Sequence, residues 1–300
     1  MRHIYSCSTM PLCRVMSAFD ALKTIRQAGF DGADFSLNVF SDGENAPLRQ
    51  NNWRQWAQSV ADCAAGLELP IVQAHASWQQ SIAPDFTYAP PDEIYARTLE
   101  ACHILGCRKL VFHPLLLSRR IESASELDSI HAYNVRWFGQ LLPLAQRLGV
   151  TVELENMFDF PHLQKPGDPP FPYSDAEMLL ALADALDSPQ VGICLDTGHA
   201  SISGADAAQM IGRFGQRLDC LHLNDNFGRI SGVYEDLHLF PASGRLPWQE
   251  IFTALKQTGY HGTLNLEVRA QLPFQSQQVR LCQLRAGREV TELLAQQAGF

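Results

Sequence analysis

Several signatures are missing from this chain of 300 residues. No apolar run approaches the roughly 18 residues that a membrane-spanning helix needs. The opening MRHIYSCSTMPL lacks the apolar stretch of a signal peptide, so a soluble, cytoplasmic protein is expected. Eight cysteines (Cys7, Cys13, Cys63, Cys102, Cys107, Cys194, Cys220 and Cys282) lie scattered without a C-x-x-C pair. That spacing argues against a disulfide framework and a zinc finger, leaving reduced core thiols, with Cys7 placed to line a site mouth. Positive charge is scarce: 23 Lys+Arg against 32 Asp+Glu give a net charge of -9. A pervasively basic nucleic-acid binder is thereby disfavoured, although a local basic groove is not. No G-x-G-x-x-G follows the first β-rich run, which counts against a doubly wound dinucleotide-binding sheet. Nor is there an interdomain linker, so residues 1–300 read as one domain.

What is present is a regular alternation. With 46% apolar residues the chain can bury a large core. Short β-rich runs fall at Ile4–Ser6, Gly32–Leu37, Ile71–His75, Lys109–Phe112, Thr151–Glu155, Val191–Leu195, Cys220–Leu223 and Thr263–Val268. Helical spacing of apolar residues predicts helices over Ser17–Ala28, Asn52–Ala65, Asp92–Leu105, Asp128–Leu148, Ser174–Ala185, Ala205–Phe214, Pro247–Lys256 and Gln277–Gln296. Ser17 and Ser174 are placed to cap helices, with Asp20 and Glu177 three residues on. Gly29, Gly106, Gly149 and Gly259 sit just past helix ends. Eight β-then-α units in this length predict an α/β fold, the (β/α)8 TIM barrel. The long irregular stretches 38–51, 157–173 and 224–246 each follow a strand, where such a barrel carries its working loops. The Pro-rich run 161–172 is a candidate lid or oligomer contact.

Polar residues recur where the strands end. The third run ends in His75, the fourth in His113 and the fifth in Glu155. The sixth ends in Asp196, with His199 one turn on. The seventh ends in His222 and its loop carries Asp236 and His238; the eighth ends in Glu267. Glu153 and Glu155 are taken to alternate, with Glu155, nearer the strand end, facing the interior. A single histidine at a strand end most often satisfies a core hydrogen bond. Nine such groups from six consecutive units are better explained by one site. Four carboxylates converging there repel, and burying them unpaired costs several kcal/mol each. Neutral imidazoles cannot neutralise them but can share a cation with them. Mixed nitrogen and oxygen ligation suits Zn2+ or Mn2+ over Ca2+ or Mg2+. One to three ions fit the number of ligands.

His75, HP at 113–114, LEN at 154–156, LDTGHA at 195–200, HLND at 222–225, D-x-H at 236–238 and Glu267 together resemble the xylose isomerase-like TIM-barrel superfamily. That group includes sugar and sugar-phosphate isomerases and epimerases, inosose dehydratases and endonuclease IV-type AP endonucleases. In its epimerases one divalent ion is held by a Glu, an Asp, a His and a second Glu. The resemblance maps these to Glu155, Asp196, His222 and Glu267, and the two glutamates to the acid/base pair. The endonuclease IV branch uses all nine positions for a trinuclear zinc cluster. This chain departs from the group at Ala242, where a Gly often stands, while Gly244 and Trp248 fit.

The expected function is therefore a metal-dependent isomerase or epimerase acting on a small ketose, cyclitol or sugar phosphate. Trp78 is the candidate platform for a sugar ring. Arg245 and Arg269 are candidates to hold a substrate phosphate or carboxylate. An endonuclease IV-like zinc phosphodiesterase is the alternative. It is weakened by the loop HASWQQSIAPDF, uncharged until Asp85, because phosphate-backbone binding draws its strength from Lys and Arg. A non-catalytic ligand-binding barrel is the third reading. A homodimer is compatible with this architecture.

Overall fold

The computed structural model describes residues 3–78, 80–158, 169–228, 235–269 and 272–300. Residues 161–168 of the Pro-rich run, and 229–234 of the third long loop, lie outside these. The proposed lid or oligomer contact therefore falls largely outside the described residues.

Eight parallel strands form one sheet: β1 (Tyr5–Ser8), β2 (Gly32–Ser36), β3 (Ile71–His75), β4 (Lys109–Phe112), β5 (Thr151–Glu155), β6 (Val191–Asp196), β7 (Leu218–His222) and β8 (Leu264–Leu266). Each strand from β1 to β6 pairs with the next, and β1 also pairs with β8. The ring is completed at one bridge between Leu223 and Leu266. There Leu223 N–H donates to the Asn265 carbonyl at 2.8 Å, and Glu267 N–H to the Leu223 carbonyl at 3.1 Å. This is the TIM barrel.

Around it lie α1 (Met10–Cys13), α2 (Ala18–Gln27), α3 (Trp53–Gly66), α4 (Glu93–Ile104), α5 (Ala124–Leu148), α6 (Ala176–Leu186), α7 (Thr197–Ser203), α8 (Ala207–Phe214), α9 (Trp248–Thr258) and α10 (Gln277–Gln297). Ser17 caps α2 as the sequence predicts, accepting from Asp20 N–H. Ser174 does not cap α6. Asp175 does so, accepting from Met178 N–H, while the Ser174 hydroxyl turns back to the Phe171 carbonyl. A carboxylate one residue closer to the helix also meets the positive end of its dipole. The four predicted post-helix glycines all have positive φ, including Gly149 at 64° and Gly259 at 69°. Two helices have no counterpart in the periodicity. Both α1 and α7 are too short to show an amphipathic repeat, and each begins within two residues of a strand.

Alternation splits the strand side chains into two sets. Outward-facing Phe112, Leu154, Ile193 and Leu221 join the main core beneath the helices. Val111, Cys194 and Cys220 form a separate small apolar cluster inside the barrel. One expectation fails here. Glu153 and Glu155 are two residues apart, which places them on the same face, and both are buried. Glu153 pairs in register with Gly192. A Cβ at Gly192 would lie 2.1 Å from Glu153 Oε2, so the glutamate fills the space a side chain there would take. All eight cysteines are free; six are buried, Cys7 among them, Cys63 is half-buried and Cys282 exposed.

Candidate metal centre

Strand ends place His75, His113, Glu155, Asp196, His222 and Glu267 around the C-terminal mouth of the barrel. The first turn of α7 adds His199, and the loop after β7 adds Asp236 and His238. All nine predicted groups meet, in three clusters whose ligand atoms lie within 4.8 Å of one another. These are His75, His113 and Glu155; His199, Asp236 and His238; and Glu155, Asp196, His222 and Glu267. Glu155 belongs to two of them.

Each of three histidines is tied at its back nitrogen and turns its front nitrogen inward. His75 Nδ1 donates to the Ala76 carbonyl at 3.0 Å, His199 Nδ1 to the Asn156 carbonyl at 2.8 Å, and His238 Nδ1 to the Glu267 carbonyl at 2.8 Å. With Nδ1 donating to a carbonyl, Nε2 is the nitrogen each ring turns to the site. His75 Nε2 faces His113 Nε2 at 3.2 Å, and both lie against Glu155 Oε2, at 3.3 and 3.1 Å. His238 Nε2 faces Asp236 Oδ2 at 2.5 Å. His222 is turned the other way. Its Nε2 lies 3.4 Å from Asp34 Oδ2, and its Nδ1 reaches Glu155 Oε1 at 2.9 Å and Glu267 Oε2 at 3.0 Å. Imidazole nitrogens and carboxylate oxygens converging front to front are placed to share a cation. The donor set fits a divalent cation of the zinc or manganese type.

Electrostatics follows the same balance. At Glu155, burial favours the neutral acid, but His222 and His113 outweigh it and hold the carboxyl well below its usual range. Burial prevails at Asp196, pushed up to about 6 despite His199 and His238. His238 loses proton affinity through burial and regains more from Asp236 and Glu267, ending at about 10. At His113 burial outweighs the pull of Glu155, and its pKa falls.

Neighbours of the ligands within the LEN and HLND motifs support them. Asn156 brackets the backbone of Asp196, accepting from its N–H at 2.7 Å and donating to its carbonyl at 3.0 Å. Asn224 donates to Asp196 Oδ2 at 2.7 Å. Asp225 accepts from the Trp248 indole at 2.8 Å and fixes the turn before α9. Asp34 carried no signal, since an acidic residue inside a strand reads like any other polar break. It sits under His222 and accepts from Asn265 at 3.0 Å.

The chamber above the clusters encloses about 220 Å3, with Trp78, Phe158, Arg14 and Arg269 on its walls. Trp78 is half exposed and its ring lies 5.8 Å from His75 and 5.3 Å from His113. Arg269 holds Asp236 at 3.2 Å. Arg245 is exposed and does not line this chamber. The neighbouring Leu246 N–H and Trp248 indole are fastened to Asp225, which sets its stretch of chain against the barrel wall.

An uncharacterised protein of Sinorhizobium fredii is 39% identical over 77 residues, 26% of this chain and 23% of that protein. One from Mycobacterium tuberculosis is 29% identical over 254 residues, covering 81% of this chain and 83% of its own length. D-psicose 3-epimerase from Enterocloster bolteae is 35% identical over 91 residues, 30% of this chain and 27% of the enzyme. The chain thus spans about a quarter of two of these relatives. In structure, D-psicose 3-epimerase from Clostridium cellulolyticum superposes with a TM-score of 0.72 at 15% identity, over 97% of this chain and 99% of that one. With the family profile matching residues 22–283, the chain belongs to the xylose isomerase-like TIM-barrel family.

Proposed function

We propose that this protein is a divalent-metal-dependent sugar or sugar-phosphate isomerase or epimerase. The observation that carries the reading is the pair Glu155 and Glu267. They come from strands three places apart around the barrel, and both reach His222 Nδ1, at 2.9 and 3.0 Å. Two carboxylates flanking one small chamber suit the removal and return of a proton.

Glu155, Asp196, His222 and Glu267 would hold the cation, Zn2+ or Mn2+. A cation held there would supply Lewis-acid polarisation of a carbonyl and adjacent hydroxyl, making the neighbouring C–H acidic. One glutamate takes that proton, and the other returns it to the opposite face or the adjacent carbon. Trp78 offers an apolar face to the sugar ring. Asp34 holds His222 so that Nδ1 faces the two glutamates. The sugar epimerases among the similar proteins support the same reading.

The test is exchange of the ketose α-proton in deuterated water with the Mn2+- or Zn2+-loaded protein. Glu155→Gln and Glu267→Gln should each slow exchange by about 10²–10⁴-fold, the usual contribution of a general acid or base. Unchanged exchange in both variants rules out this assignment. The three ligand clusters also favour a second reading, a trinuclear zinc phosphodiesterase. Three zinc ions per chain with cleavage of abasic DNA, and no ketose exchange, would establish that instead.

A further inference from the structure

A groove of about 920 Å3 adjoins the metal chamber and shares Met10, Arg14, Asp236 and Arg269 with it. Beyond those shared residues its lining is mainly apolar, with Val15, Leu239, Phe240, Pro273 and Phe274 among its walls. Phe240 is a fixed wall: it packs on Gly287 of α10, where an added Cβ would come within 2.4 Å of its ring. Phe274 is 87% exposed and Val15 48% exposed. Among the described residues seven large apolar side chains are exposed. Val15 and Phe274 line this groove, and Trp78 lines the chamber beside it. Three of the seven stand at this one mouth, where a bound molecule would cover them.

The chamber has room for about one sugar unit, and the groove extends it in a different chemistry. We propose that the substrate is an aromatic glycoconjugate, with a keto-sugar unit in the chamber and an aromatic aglycone in the groove. This rests on the reading of the chamber as a sugar site. A flat ring suits the groove better than an alkyl chain. Phenylalanine and proline walls present flat faces, and a rigid ring loses little conformational freedom on binding. Arg14 stands at the junction, and among the described residues no carboxylate is paired with it. A guanidinium without such a partner is available to stack on an aromatic face.

Titration calorimetry of the Mn2+-loaded protein with the 4-nitrophenyl, octyl and methyl glucosides oxidised to a keto group on the sugar ring, both anomers, tests this. The aryl glucoside should bind at least about tenfold tighter than the methyl glucoside, the gain expected from burying one ring. Phe274→Ala, at an exposed position that does not endanger folding, should narrow the aryl-to-methyl ratio several-fold. Equal binding of aryl and methyl glucosides, tighter binding of the octyl compound, no binding of any of them, or a ratio unmoved by Phe274→Ala overturns the proposal. Proton exchange on free ketoses separates the two readings. Exchange without aryl preference removes the aglycone and leaves the sugar site. Aryl preference without exchange keeps the groove and removes the chemistry.

Discussion

Glu153 lies one layer below the ligand ring, fully buried, with neither oxygen hydrogen-bonded among the described residues. Burial, reinforced by Asp219 and opposed by Lys109, pushes its carboxyl up to about 8. The folded state therefore binds this proton more tightly than the unfolded chain, where the ordinary value is 4.5. Stability from this group is complete below the unfolded value and is lost as pH rises from about 4.5 to about 8, a loss on the order of 5 kcal/mol. Glu153→Gln cannot ionise. Relative to the parent it should gain stability between pH 5 and pH 8, which urea denaturation at the two pH values measures; parallel curves would show that Glu153 is already solvated. Ala242 carries backbone strain. Its φ of 65° is left-handed, at the position where the family often has glycine. Ala242→Gly should stabilise the fold by up to about 1 kcal/mol, because only glycine adopts that φ without strain.

At the scale of elements, the junction of β6 and α7 does the most for the site. Asp196 ends the strand and caps the helix, Oδ1 accepting from His199 N–H at 2.7 Å. Asn224, just past β7, holds its other oxygen. Two neighbouring strand ends thus fix one ligand, and the helix start carries the next. Gly198 leaves room for this: a Cβ there would fall 1.9 Å from Asn224 Oδ1. Asn224→Ala and Gly198→Ala should each weaken cation binding by about 10–100-fold, as loss of ligand-orienting groups commonly does. Titration of the metal-stripped protein with Mn2+ reads this, with circular dichroism confirming that the barrel persists. Affinity equal to the parent in both variants would show that Asp196 needs no such support.

For the whole molecule, a cation held by the clustered carboxylates and imidazoles would tie stability to its binding. A ligand bound only by the folded state at 100 times its Kd adds about 2.7 kcal/mol. Chelation should therefore lower the unfolding midpoint by several degrees, and Mn2+ or Zn2+ should restore it. His222→Ala should abolish the restoration. A midpoint indifferent to chelator would contradict cation binding at the barrel mouth.

Strand and helix order, the barrel they imply and the nine ligand-type residues were legible in the chain, because both repeats and polar strand ends are local properties. The period of two also held the answer for Glu153, where counting i and i+2 as opposite faces misplaced it. Other features were written in no local pattern. Asp34 beneath His222, the exclusion of Arg245 and the groove beside the chamber depend on which strands and loops become neighbours only when the ring closes. Sequence fixes what each strand end offers, through alternation and residue type. Tertiary structure decides which nitrogen of each imidazole faces inward, since that follows from a carbonyl or carboxylate brought up from elsewhere in the chain.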